Sequence, residues 1–111
     1  MARSDNNAFD VTVDRKELAA ALERIRILNK GKKPFELTMS FEDSTLVMMT
    51  PKTTKTVAGS GTADVQIQMS GPVLVRMAAA FSDSATIRFL LDGDHIRIER
   101  LTLPCAVIQA S

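Results

Sequence analysis

The chain has 111 residues, 45% of them hydrophobic, which is enough for one domain with its own core and too short for two ordinary ones. Lys and Arg number 14 against 13 Asp and Glu, so a net charge of +1 gives no overall pull on nucleic acid or acidic lipid, and such binding would need a local patch. A single cysteine, Cys105, excludes an internal disulfide and, with only one histidine in the chain, a structural zinc site.

The N-terminus carries no apolar leader-like run, and the apolar run from Val73 to Phe81 is broken by Arg76. No membrane span is therefore expected, and a cytoplasmic location follows most simply. Residues 1–8 read as a flexible polar N-terminus, and 9–111 as one domain. Phe9, Val11 and Val13 alternate with Asp10 and Thr12, the period of a strand with one buried face. Asp14 then stands where an N-cap belongs, with Glu17 three residues on, ahead of the helical stripe Leu18, Ala21, Leu22, Ile25 and Leu28. Asn29-Lys30-Gly31-Lys32-Lys33-Pro34 stops that helix with a basic last turn, then Gly and Pro.

Leu37, Met39 and Phe41, followed by Leu46 and Met48, predict a hairpin over 35–50 around Glu42-Asp43. Thr54 to Ala58 predicts a short strand ended by Gly59-Ser60-Gly61. Val65, Ile67 and Met69 predict another strand. Ser70 caps a second helix, with Leu74, Met77, Ala78 and Phe81 on one stripe and Pro72 tolerated in the first turn. Ala85 to Arg100 is the clearest hairpin: Ile87 and Phe89 alternate into Asp92-Gly93, and Ile96 and Ile98 alternate out of it. A type I′ turn at Asp92-Gly93 sets Phe89 opposite Ile96 and Ile87 opposite Ile98. Arg88 then faces Arg97 on the outward side. Leu101, Leu103, Cys105 and Val107 predict a last strand, with Pro104 marking an edge or a bulge.

The two halves share one order: strand, helix and three strands, in units spanning about 9–60 and 64–109. Leu37, Met39, Leu46 and Met48 fall on Ile87, Phe89, Ile96 and Ile98 without a gap, and Asp14 falls on Ser70. The expected fold class is therefore α+β, a duplicated βαβββ unit with two helices packed on antiparallel sheet, each unit covering a face the other cannot cover alone.

That order, used twice within about 110 residues, resembles one domain of the DNA sliding clamps, the ring-shaped processivity factors of replicative polymerases. The resemblance runs from Phe9 to Ile108. It is carried best by Val65-Gln-Ile-Gln-Met-Ser-Gly-Pro-Val-Leu-Val-Arg-Met and by Ala85-Thr-Ile-Arg-Phe-Leu-Leu-Asp-Gly-Asp-His-Ile-Arg-Ile. It implies a DNA-clamp fold whose helices line a central hole, with Lys and Arg turned to the DNA backbone and the sheets as outer wall. It also implies a homo-oligomer, since clamps carry two or three such domains per chain and this chain carries one. Duplex DNA and protein partners would be its ligands.

Lys16, Arg24, Arg26, Lys30, Lys32, Lys33 and Arg76 are the residues this assigns to DNA. On the first helix the face away from the core stripe holds Lys16, Ala20, Glu23 and Ile27, flanked by Arg24 and Arg26. One acid and several apolar residues dilute it, whereas phosphate binding favours an unbroken basic field. The Lys30–Lys33 loop suits phosphates, and equally suits a helix C-terminus whose dipole it offsets. Val47, Met49 and Leu90 point outward and form a candidate apolar patch.

Catalytic chemistry finds little material. His95 stands alone beside a turn, Asp92-Gly93-Asp94 is turn chemistry without further calcium-loop ligands, and Gly59-Ser60-Gly61 leads into no helix. No catalytic residue, metal or cofactor is expected. Two functions fit: a clamp-like protein that self-associates on DNA, and a protein–protein interaction module that keeps the fold without the DNA role. An enzyme ranks well below both.

Overall fold

The computed structural model describes residues 8–29, 34–78 and 85–109. The chain runs β1 (Phe9–Asp14), α1 (Arg15–Leu28), β2 (Glu36–Glu42), β3 (Thr45–Met49), β4 (Thr54–Ala63), β5 (Val65–Ser70), α2 (Gly71–Ala78), β6 (Thr86–Asp92), β7 (His95–Ile98), β8 (Leu101–Pro104) and β9 (Ala106–Gln109). Among the described residues all nine strands belong to one antiparallel sheet in the order β8-β7-β6-β1-β4-β3-β2-β5-β9. Its two edge strands, β8 and β9, are consecutive in sequence with only Cys105 between them, so the sheet is nearly closed on itself like a barrel. Closure of this kind limits the length of exposed edge that could pair with a stranger.

The alternating residues of the strands supply the core. Phe9, Val11 and Val13 of β1, Leu37 and Met39 of β2, Leu46 and Met48 of β3, and Ile87 and Phe89 of β6 are all buried, as are Ile96 and Ile98 of β7. α1 and α2 pack against each other, α1 also against β1 and β4, and α2 against β5. Leu18, Leu22 and Ile25 are the buried residues of α1, and Leu74 is its counterpart on α2. Among the described residues no polar or charged side chain is buried. The interior is therefore apolar throughout, each fully buried aliphatic side chain contributing about 1.5–3 kcal/mol from the area it withdraws from water.

The first helix begins as its sequence predicts. Asp14 is extended (φ −69°, ψ 132°), and its carboxylate accepts from the Glu17 N–H at 3.0 Å. It ends at Asn29, whose Nδ2 donates to the Ile25 carbonyl at 3.0 Å and to Thr50 Oγ1 at 2.9 Å, pinning the helix end to the β3–β4 connection. Leu28, expected on the core stripe, is 48% exposed instead. The stripe closes at Ile25 because the helix stops within one turn of it. On α2, Ser70 Oγ accepts from the Val73 N–H at 3.4 Å, a long N-cap bond. Met77 is partly buried against the core, whereas the side chain of Ala78 and all of Phe81 lie outside the described residues.

Three expectations about strands are corrected. The hairpin of β6 and β7 pairs Phe89 with Ile98 and Leu91 with Ile96, and closes at Asp92–His95, so its loop is Gly93-Asp94 rather than Asp92-Gly93. Gly93 has φ 66° and is alone in that turn in having a positive φ, which fits type II′. The shift also separates the two arginines: Arg97 lies opposite Leu90, and Arg88 opposite Thr12 of β1. The β2–β3 hairpin closes at Glu42–Thr45 around Asp43 and Ser44, both with positive φ (55° and 58°), the type I′ signature.

Second, β4 does not stop at Gly59-Ser60-Gly61 but runs ten residues through it. Thr54 to Ala58 pairs with β3 and Gly59 to Ala63 pairs with β1, so one strand joins the two parts of the sheet. The glycines make this bend sterically feasible. A Cβ on Gly59 would sit 2.8 Å from the Thr12 carbonyl oxygen and from a Val13 methyl, and one on Gly61 only 2.0 Å from the Asp10 carbonyl oxygen. Third, the final strand is two strands interrupted at Cys105, with Pro104 on the edge as expected.

Candidate nucleic-acid interface

Of the seven residues assigned to DNA, Lys30, Lys32 and Lys33 lie outside the described residues. Lys16, Arg24 and Arg26 are exposed on α1 and Arg76 is exposed on α2. The adjoining helices therefore place basic side chains from both on one solvated layer. Their charges are not equally available, however. Arg26 is held by Glu23 one turn earlier, Nη2 on Oε2 and Nε on Oε1 at 3.1 Å. That hydrogen-bonded pairing lowers the Glu23 carboxyl below its ordinary range and raises the Arg26 guanidinium above its own. Arg26 thus offers a phosphate a partly satisfied guanidinium.

The same helix exposes Ala20, Glu23 and Ile27, as its periodicity predicts. Ile27 is 49% exposed and is followed by the equally open Leu28. Val75, beside Arg76, packs against the core, and Ala79 lies outside the described residues. The helix layer is accordingly mixed: Lys16, Arg24, Arg26 and Arg76 stand with two exposed acids, Glu17 and the paired Glu23, and an apolar end at Ile27-Leu28.

The solvent-facing side of the sheet carries the more ordered charges. Arg88 grips Asp10 through two hydrogen bonds, Nε to Oδ1 at 2.9 Å and Nη2 to Oδ2 at 2.7 Å, across the β1–β6 ladder. The bond to the guanidinium holds the Asp10 carboxyl below the usual carboxylate range. The backbone N–H of Arg88 donates to Glu99 Oε2 at 3.0 Å. Arg97 has Asp92 at 4.0 Å, the outer limit of an ion pair. Arg88 and Arg97 are thus each met by a carboxylate, Asp10 and Asp92, and sequence spacing gave no sign of Asp10, which lies 78 residues from Arg88. Of the candidate apolar patch, Met49 is 42% exposed while Val47 and Leu90 are half-buried.

His95 Nδ1 lies 2.7 Å from Asp94 Oδ1, both exposed beside the turn. Cys105 is half-buried, and burial together with the Asp94 charge pushes its thiol pKa up, which suppresses the reactive thiolate. Among the described residues no group of three His, Cys, Asp or Glu could hold a metal ion. No helix among them is long and apolar enough to cross a membrane.

Compared with known proteins, the chain matches no family model, no curated protein and no solved structure.

Proposed function

We propose that the chain is a single non-catalytic domain of the sliding-clamp type, built from two copies of a βαβββ unit, that self-associates and acts with DNA or with replication and repair proteins. The observation that carries this reading is the repetition of strand crossings at fixed offsets. Arg15 N–H donates to the Ala85 carbonyl at 3.0 Å, and Gly71 N–H donates to the Phe35 carbonyl at 2.9 Å. Donor and acceptor shift by 56 residues (71 − 15) and 50 residues (85 − 35), the offsets at which the caps and hairpins align in sequence. Gly59 N–H to Ser44 O and Cys105 N–H to Asp94 O, both 3.0 Å, form a second couple that keeps the 50-residue shift in the acceptor (94 − 44) and shows a shift of 46 in the donor (105 − 59).

Strand pairing follows the same rule. β4 pairs with β3 and then with β1, while β8 and β9 pair with β7 and then with β5. On this reading β8 and β9 together are the second copy of β4, with Cys105 where the first copy has Gly59. Among the described residues the core is apolar, and the exposed helix layer is the surface that would meet DNA. Lys16, Arg24 and Arg76 are the residues that would meet phosphates, with Arg26 a weaker contributor.

A second reading is favoured by one specific feature of α1. Glu23 occupies Arg26, and Ile27 and Leu28 open an apolar end beside it. This suits a protein–protein interaction module that keeps the fold and does not bind DNA. Fluorescence anisotropy of labelled duplex DNA, titrated at several salt concentrations, separates the two. The clamp reading expects measurable binding that weakens steeply with salt as phosphate counterions are released, and a further loss in an Arg24→Gln/Arg76→Gln double variant. No binding at the lowest salt supports the interaction module.

A further inference from the structure

A second surface stands apart from the helix layer and is independent of whether the chain assembles on DNA. Arg88, Leu90, Arg97, Glu99 and Arg100 line a shallow cleft of about 340 Å³ on the solvent-facing side of the sheet. Three elements contribute to it: β6 gives Arg88 and Leu90, β7 gives Arg97, and the β7–β8 turn gives Glu99 and Arg100. The turn is held in an unusual conformation, Glu99 having φ 57°, and its carboxylate is fastened to the Arg88 N–H at 3.0 Å.

The guanidiniums around this cleft differ in what they have left to give. Arg88 is spent on Asp10 by two hydrogen bonds. Arg97 has only Asp92, at 4.0 Å, and Arg100 forms no ion pair among the described residues. Leu90, opposite Arg97 in the ladder, is a half-buried apolar side chain that lines the same cleft. Two under-used forks beside an apolar side chain match one planar carboxylate with an apolar neighbour.

Charge selects among anions. Glu99 lines the cleft beside the arginines, and Asp10 and Asp92 stand against Arg88 and Arg97, so carboxylates lie close to the guanidiniums on this face. A polyanion such as nucleic acid would meet those carboxylates as well as the arginines, whereas a single carboxylate engages at short range only. We infer that this cleft, through Arg97 and Arg100 with Leu90, binds an acidic peptide segment carrying one carboxylate beside an apolar side chain.

The test uses the full chain labelled with ¹⁵N, titrated with the blocked peptide acetyl-Leu-Asp-Leu-amide, its Asn counterpart, and inorganic phosphate. The inference expects saturable amide shifts confined to Leu90, Arg97, Glu99, Arg100 and their neighbours, with affinity lower by about tenfold or more for the Asn peptide. Arg97→Gln and Arg100→Gln should each weaken the Asp peptide by a similar factor while the remaining spectrum stays native, and exposed Lys52→Gln should leave binding unchanged. Absence of saturable shifts overturns the inference, as does equal binding of the Asn peptide. Tighter binding of phosphate than of the peptide also overturns it, as it makes the cleft a plain anion site.

Discussion

Replacing Gly61 with alanine tests how the sheet is joined. Gly61 pairs with Val11 in the half of β4 that runs along β1, at a φ of 132° that side chains rarely adopt. A Cβ there would stand 2.0 Å from the Asp10 carbonyl oxygen and 2.9 Å from the Val11 Cα, both backbone atoms that move only if β1 moves. The conformational strain alone is of order 1–3 kcal/mol, and the displaced ladder bonds add to it, so Gly61→Ala should cost about 3 kcal/mol or more. Gly93→Ala is the internal control. It also has a positive φ, 66°, yet nothing lies within 4 Å of its Cβ position, so it should cost only about 1 kcal/mol. For a chain of 111 residues 1 kcal/mol is about 4 °C of Tm, and the two variants should differ by about 8 °C in a calorimetric or far-UV melt. Equal melting temperatures would refute the account of β4 as one strand bent against β1.

Two further outcomes follow from burial and charge. Leu22→Ala should lose about 2–5 kcal/mol in urea unfolding, since Leu22 is fully buried between α1 and the sheet, while Leu28→Ala, whose side chain is half open to water, should change stability by about 0.5 kcal/mol or less. Comparable losses would return Leu28 to the core. Asp10→Asn should lower Tm slightly at neutral pH, and the gap to the parent should close as the medium is acidified. Asp10 has a folded pKa below its unfolded value, so its contribution is present above the unfolded pKa and disappears as pH falls through the folded one. The pair is largely exposed, so the effect is small, and a gap that persists in strong acid would show that the Arg88 contact is not its source.

Much of this architecture was legible because period and cap signals agree locally. Asp14 and Glu17 mark the start of α1, and the alternation of Phe9, Val11 and Val13, or of Ile87 and Phe89, marks buried strand faces. Periodicity constrains the face and not the partner. Moving the β6–β7 turn from Asp92-Gly93 to Gly93-Asp94 shifts each pairing by two residues and leaves every apolar side chain on the same side, so the pattern alone could not choose. Gly59 and Gly61 carry the composition of a strand end. Their role is long-range, because the atoms that exclude a side chain belong to Asp10, Thr12 and Val13 on another strand.

The charged surfaces divide in the same way. The mixed face of α1 was readable from 100° per residue, and Ala20, Glu23 and Ile27 are exposed as that angle requires. The Glu23–Arg26 pair lies within one helical turn, and its spacing was a usable signal. The Asp10 clasp on Arg88 and the arrival of Arg100 at the same cleft depend on β1 lying beside β6 and on the β7–β8 turn. Neither follows from local pattern.

Self-association of one clamp-type domain, as proposed, is read from the native mass of the purified chain. Sedimentation equilibrium or native mass spectrometry across a range of protein concentrations should find a discrete assembly at a whole multiple of 12.1 kDa, large enough to surround a duplex. A species that stays at 12.1 kDa at every concentration would contradict the account.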